Sequence, residues 1–229
     1  MGIRTRFNPM GGRITVDGPK DIVVLDNRTS TTNITGSIAL KSGVYEIVMV
    51  AGGGGGSRTY NTATTSYQQA GGGEGGAVGI TVYLLAGTYA YQCGGYGARK
   101  ENTDHSGSGS TGGQTYVSLN GNNIARAQGG TGGQTHITST TTSNWHGGSG
   151  GGYGVYTGDW TVLSSYGASG HDGNRKGSDG SPDLYTTVCS ALATNGYSTG
   201  DYQLYGRNGR YYTNAIGGYL RITYLRKTI

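Results

Sequence analysis

Residues able to do chemistry are few in this chain and scattered. The four histidines, His105, His136, His146 and His171, show no i,i+4 or comparable spacing that would aim two imidazoles at one metal ion. Gly71-x-Gly73-x-x-Gly76 matches the spacing of a dinucleotide-binding loop. Such a loop needs a helix after it, whereas Ala77 to Leu85 reads as a strand. No glycine cluster is followed by Gly-Lys-Ser/Thr, which excludes a P-loop. Gly170-His171-Asp172-Gly173-Asn174 and Ser178 to Asp183 have acidic, turn-like compositions but lack the ligand order of a calcium loop. Cys93 and Cys189 fit no zinc or redox spacing and are expected to be buried free thiols. No nucleophile stands beside a base in any recognisable arrangement. The sequence thus predicts no catalytic residues, no metal site, no cofactor and no enzyme.

Recognition chemistry is better represented. Tyrosine supplies 19 residues, against two tryptophans and one phenylalanine. Many of these rings lie in segments rich in Ser, Asn, Thr and Gly. Tyr and Trp give large contact area at small entropic cost, while Ser, Asn and Gly adapt to a partner. Flat rings also suit the faces of sugars. Candidate contact residues are Tyr60, Tyr67, Trp145, His146, Tyr153, Tyr156, Trp160 and Tyr166. The alternative role for the same rings is structural, as substitutes for Phe and Leu in a thin core or as covers over glycine ridges.

The elements that must position these residues follow from composition. The chain has 229 residues, of which 48 are glycine, far above the usual ~7%. Interior glycines cost a helix about 0.5–1 kcal/mol each relative to alanine, which argues against a helical protein. There is no apolar run of membrane-spanning length, and no strict Gly-X-Y repeat of collagen. A net charge of +5 is spread without a basic run, which argues against an electrostatic nucleic-acid stripe. The N-terminal residues carry Arg4 and Arg6 without an apolar h-region behind them, unlike a secretory signal.

Along the chain, short β-branched strands alternate with glycine clusters. Ile22 to Leu25 reads as a short buried strand. Gly43 to Val50 is a strand running into Gly52, Gly53, Gly54, Gly55 and Gly56. A polar loop from Ser57 to Gln69 follows. Gly71, Gly72 and Gly73 open the next cluster, followed by a predicted hairpin of Ala77–Leu85 with Thr88–Gln92. Thr115–Leu119, Asn120-Gly121 and Asn122–Gln128 form a second hairpin, marked by its Asn-Gly turn. Leu184 to Ala193 is the only segment that suggests a helix. Gly218 to Leu225 alternates as the closing strand. The looser glycines from Gly147 to Gly180 read as a mobile, aromatic-studded face. The expected fold is all-β, with a β-sandwich or jelly-roll-like core.

Clusters this short and numerous make poor linkers. Glycine segments in the extended left-handed conformation, with three residues per turn, approach closely enough to bond laterally through their backbones. A polyglycine II lattice is therefore expected around Gly52–Gly56 and Gly71–Gly76.

The order of these units resembles a known family. G-V-Y-E-I-V-M-V-A-G-G-G-G-G at 43–56 is similar to the opening of the bacterial and phage glycine-rich domain. The segments 71–97, 112–121, 127–133 and 217–224 resemble its later units, with Cys93 where an aliphatic residue is usual. The glycine-rich region of anaplastic lymphoma kinase and its relatives shares the grammar. M-G-I-R-T-R-F-N-P-M-G resembles a leader of predicted phage tail and virion proteins. The resemblance implies a glycine-rich β domain at 37–229 behind an attachment segment at 1–36, with Arg4, Arg6, Phe7 and Pro9 as attachment candidates. It implies a non-enzymatic tail-fibre or tail-tip adhesin, located in the virion, that recognises a bacterial surface glycan or protein. Other virion proteins and further copies of the chain, a trimer among the options, would be its partners; membrane and nucleic acid would not. The alternative is a self-assembling filament, ring or decoration protein.

Overall fold

A computed structural model describes residues 21–29, 31–103, 105–137, 143–173, 175–176, 188–197, 199, 205–206, 209 and 214–225. Along these residues the chain shuttles between two β layers, and the glycine clusters carry each crossing. The base layer begins with β1 (Ile22–Arg28), β2 (Ile34–Leu40) and β3 (Gly43–Val50). Residues 51–56 lead to β4 (Ser57–Asn61) and β5 (Ser66–Ala70) in the distal layer. Residues 71–76 return to β6 (Ala77–Leu84) and β7 (Gly87–Cys93). The pattern repeats through distal β8 (Lys100–Thr103) and β9 (Gly107–Ser108), basal β10 (Thr115–Leu119) and β11 (Asn122–Ala127), and distal β12 (Gln134–Ile137) and β13 (Ser143–His146). Basal β14 (Tyr153–Val155) and β15 (Thr161–Ala168), distal β16 (Arg175–Lys176), helix α1 (Val188–Thr194) and basal β17 (Tyr219–Tyr224) are the remaining elements among the described residues. The fold is all-β, as composition predicts.

The base consists of two antiparallel five-stranded sheets, ordered β1-β17-β3-β6-β15 and β14-β11-β10-β7-β2. Alternating side chains from the two sheets meet in one core. Ile47, Met49, Ile80, Val82, Leu84, Leu220 and Ile222 come from the first sheet; Tyr89, Cys93, Val117, Ile124 and Ala125 come from the second. The opposite face of the first sheet buries Val48, Val50 and Tyr219 against Val188, Cys189 and Leu192 of α1. Both faces of β3 are therefore covered, which explains its near-continuous apolar run.

One expected hairpin forms and the other does not. Asn120 and Gly121 take φ of 50° and 81° between paired β10 and β11, the left-handed pair of a type I′ turn. The predicted 77–85 with 88–92 hairpin is corrected. β6 is already flanked by β3 and β15, while β7 pairs with β10 and β2 in the facing sheet. Leu85-Ala86 thus arches the chain from one sheet to the other. The attachment segment foreseen at 1–36 overlaps this framework, because β1 pairs with β17 and β2 with β7.

Between the layers, glycine segments hold one another through backbone hydrogen bonds. Residues 51–56 sit at the centre. Ala51 and Gly54 donate to Gly76 and Gly73, whereas Gly52 and Gly55 donate to Gly113 and Ser110. Gly53 donates to Ile216. On the acceptor side, Gly97 and Lys100 donate to Gly53 and Gly56, Gly130 and Gly133 to Gly52 and Gly55, and Gly209 to Gly54. Four of these partner segments, 73–76, 97–100, 110–113 and 130–133, are met twice at a step of three residues, whereas Ile216 and Gly209 each make one bond. Packing leaves no room for side chains: a Cβ on Gly54 would stand 2.0 Å from the Thr131 carbonyl oxygen, and one on Gly72 the same distance from that of Gly54.

The described glycines from Gly147 to Gly173 require a correction. They do not form a loose face. Gly148, Gly151, Gly170 and Gly173 bond into the same tier, to Gly71, Glu74, Gly151 and Gly148 respectively. Buried backbone groups must find partners, and here most are other backbones, with a few side chains such as Asp172, which accepts from the Gly150 N–H at 2.8 Å. Of the helix predicted at 184–193, residues 184–187 lie outside the described residues, and the described helix runs Val188–Thr194, one residue past the expected end.

Candidate functional site

The distal layer is built unlike the base. Its sheets are β16-β5-β4-β8 and β13-β12-β9, and the interior between them is polar. Ser57, Thr59 and Thr135 are buried. The Thr135 hydroxyl lies 2.6 Å from those of both Ser57 and Thr59. Thr59 Oγ1 also donates to the His105 carbonyl at 3.1 Å. Successive side chains of a strand point to opposite faces. With Ser57, Thr59 and Asn61 turned inward, Arg58 and Tyr60 must turn outward.

That outward face gathers an aromatic and charged platform. Tyr60 stands opposite Tyr67 across the β4–β5 pair, with ring centroids 4.8 Å apart and a 50° tilt. The Arg58 guanidinium lies 4.2 Å from the Tyr67 centroid, a cation–π distance. Arg58 also pairs with Glu101 of the parallel neighbour β8, which holds the Glu101 carboxyl below its ordinary value. Gln69 flanks Arg58 on β5. Tyr67 keeps 45% of its surface open to solvent. Such a face offers a flat apolar ring, a fixed cation, a carboxylate and an amide within one patch. Such groups can stack on and hydrogen-bond polar, hydroxyl-bearing ligands.

The structure divides the eight predicted contact residues between the two ends of the molecule. Tyr60 and Tyr67 come together on the distal face. His146 is exposed at the end of β13, opposite Gln134 of β12. Trp145 pairs with Thr135 through its backbone, and its side chain lies outside the described features. The other four belong to the base. Tyr153 is exposed on β14, its ring over Gly167. Tyr156 and Trp160 line a basal cavity. Tyr166 packs against the α1 cluster, a structural role. Arg4, Arg6, Phe7 and Pro9 lie outside the described residues.

Sequence reading passed over Arg58, Gln69 and Glu101. Reading 57–69 as a loop concealed the period of two that places Arg58 beside Tyr60. The missing signal was hydrophobic alternation, because the inward positions carry hydroxyls and an amide instead of apolar groups.

Among the described residues, no cluster of three or more His, Cys, Asp and Glu is placed to hold a metal ion. Likewise, none of the described helices is long and apolar enough to cross a membrane. His171 is engaged with Glu74, whose buried carboxylate accepts from His171 Nδ1 at 2.9 Å and from the Val188 N–H at 3.0 Å. The pair ties the glycine tier to the start of α1. Burial pushes the thiols of Cys93 and Cys189 up to about 12; a thiol held protonated is a poor nucleophile. In comparison with known proteins, no family model matches the chain and no curated protein matches it.

Proposed function

We propose that this chain is a non-enzymatic phage virion protein, a tail-fibre or tail-tip adhesin, whose distal face recognises a bacterial surface glycan or protein. The observation that carries this reading is the polarity of the fold. In the β1–β17 pair, Arg28 stands opposite Tyr219, beside the glycine tier, while Ile22 stands opposite Tyr224 at the far end of the base. Ile22 therefore lies at the end opposite the Arg58–Tyr60–Tyr67 platform. An attachment segment and a receptor-binding face would need that separation.

The glycine tier fits this role as a spacer of the polyglycine II type. Partners that recur at every third residue match a helix of three residues per turn. A tier held by backbone bonds fixes the distal strands without needing a second apolar core. Contacts on such a polar face are individually weak, and copy number on a particle would multiply them.

The test is binding of the purified full chain to cells of a strain that the parent phage adsorbs to. Wild-type protein binds; Tyr67→Ala and Arg58→Ala lose most of the binding while keeping the wild-type circular dichroism. Undiminished adsorption of particles lacking the protein would overturn the reading.

A second reading, a self-assembling structural protein, draws on one observation. Edge strand β1 exposes Ile22, Val23 and Val24, with Val23 53% open to solvent. Exposed apolar edge strands are templates for strand addition. Long regular fibres in negative stain would favour it, and discrete small oligomers would favour the adhesin.

A further inference from the structure

The end of the base away from the glycine tier carries a cavity that the distal platform does not use. The β10–β11 turn and the β14–β15 loop enclose about 340 Å³, within the ~300–1,000 Å³ range of small-molecule sites. Asn120, Asn122, Asn123, Tyr156, Asp159 and Trp160 contribute to its wall. Trp160 Nε1 donates to the Tyr156 carbonyl at 2.8 Å, which fixes the indole plane. The indole packs partly on the core and is partly open. Its six-membered ring crosses directly over Gly158, where a Cβ would stand 2.3 Å from the ring. Only glycine admits the ring in that position.

The polar wall has hydrogen-bonding capacity to spare. Among the described residues, no protein group bonds the side chains of Asn120, Asn122, Asn123 or Asp159. Carboxamides donate and accept side by side, as adjacent hydroxyls do, and a carboxylate accepts from two hydroxyls. Among the described residues, no lysine or arginine lines the cavity, so Asp159 would repel an anionic ligand. The aromatic pair supplies an apolar surface beside these groups.

We infer that this cavity is a second binding site, and that it takes a neutral pyranose unit. The amides and Asp159 bond its hydroxyls, and Trp160 meets its C–H face. The inference stands apart from the adhesin reading, because it rests on the base alone and holds for any biological role of the distal face.

Saturation-transfer difference NMR on the full chain tests it, with the methyl glycosides of glucose, galactose, mannose and N-acetylglucosamine as probes and glucuronate as anionic control. At least one neutral glycoside is expected to receive saturation on its ring C–H protons and to shift the Trp160 indole N–H resonance. Glucuronate is expected to give a much weaker signal. Asp159 and Asn122 are exposed, so Asp159→Ala and Asn122→Ala should fold normally. Asp159→Ala should weaken binding about tenfold, as expected for the loss of a hydrogen bond to a charged acceptor. Absence of transfer from all four glycosides overturns the inference. So does transfer that both variants leave unchanged, or that shifts resonances of Tyr67 and not of Trp160. A failure here would leave the cell binding of wild-type protein and its loss in Tyr67→Ala unchanged, so the two proposals fail separately.

Discussion

The base and the glycine tier bury their chain by opposite means. In the base, Ile47, Ile80 and Leu220 of one sheet are wholly buried and share a side-chain core with Val117 and Ile124 of the facing sheet. In the tier, Gly54 is equally buried, but it meets Gly73, Thr131 and Gly209 through backbone atoms alone. One region excludes water with apolar surface; the other saturates its amides and carbonyls. A methyl group therefore has opposite value in the two. Adding one to the tier is predicted to have the largest effect of any single change. Gly54→Ala would drive its Cβ to 2.0 Å from a carbonyl that is itself bonded to Gly73. The loss should reach or exceed the ~3 kcal/mol upper end of ordinary overpacking, because backbone cannot rotate away as a side chain can. Removing a methyl from the base by Ile47→Val should cost only about 0.5–1.5 kcal/mol. Urea unfolding of both variants measures the contrast. Equal losses would show that the tier is not packed by its backbone.

Where the two regions meet, Glu74 joins them with a side chain. Its carboxylate bonds the Val188 N–H and His171 from within a glycine segment. Glu74→Ala should cost about 1–3 kcal/mol, the penalty for leaving a buried donor without its partner. The loss should be smaller in Glu74→Gln, which retains one acceptor oxygen. If the two variants are equally stable to urea, the carboxylate does not tie α1 to the tier.

Sequence patterns exposed these two regions unequally. The basal strands at 43–50, 115–119 and 218–225 were legible because burial on one or both faces leaves an apolar signature. Asn120-Gly121 was legible because few dipeptides tolerate two left-handed residues. The arch at Leu85-Ala86 was not, because a two-residue connection looks the same whether the next strand pairs locally or crosses to a facing sheet. Only the prior occupation of both β6 edges decides that. The distal strands were invisible for a different reason. Ser57, Thr59 and Thr135 fill an interior with hydroxyls, so period-two alternation is present in burial and absent in hydropathy. Among the candidate site residues, Tyr60 and Tyr67 were legible as aromatic outliers, whereas Arg58 and Glu101 needed the strand register.

The comparison also predicts where alkaline pH acts. Cys93 lies in the basal core and Cys189 in the helix packed on it, and burial holds both protonated up to about 12 against an ordinary value of 9.0. Burial raises Tyr45, Tyr89 and Tyr219 in the same direction. The unfolded chain releases these protons first, so stability is fully present below pH 9 and falls as pH rises toward 12. The urea midpoint should decline across that window, and less steeply in Cys189→Ala. A flat midpoint from pH 9 upward would mean that the thiols and phenols titrate alike in both states. Below pH 9, a thiol reagent should modify neither cysteine until the protein unfolds.

The smallest expected effect is the most discriminating about glycine itself. Gly87 opens β7 in the base, and a Cβ there would meet nothing closer than 3.7 Å, an ordinary contact with Tyr89. Its φ is not in the left-handed region, so alanine fits without strain. Gly87→Ala should be neutral or stabilising by up to about 1 kcal/mol, because the unfolded chain loses freedom that the folded chain never used. Set beside Gly54→Ala, the same substitution would then change sign between two regions of one molecule. If Gly87→Ala destabilised as much as Gly54→Ala, glycine would be required along the chain for some reason other than lateral backbone contact. A midpoint shift in the predicted direction ties that requirement to the tier, where neighbouring backbones occupy the space a side chain would fill.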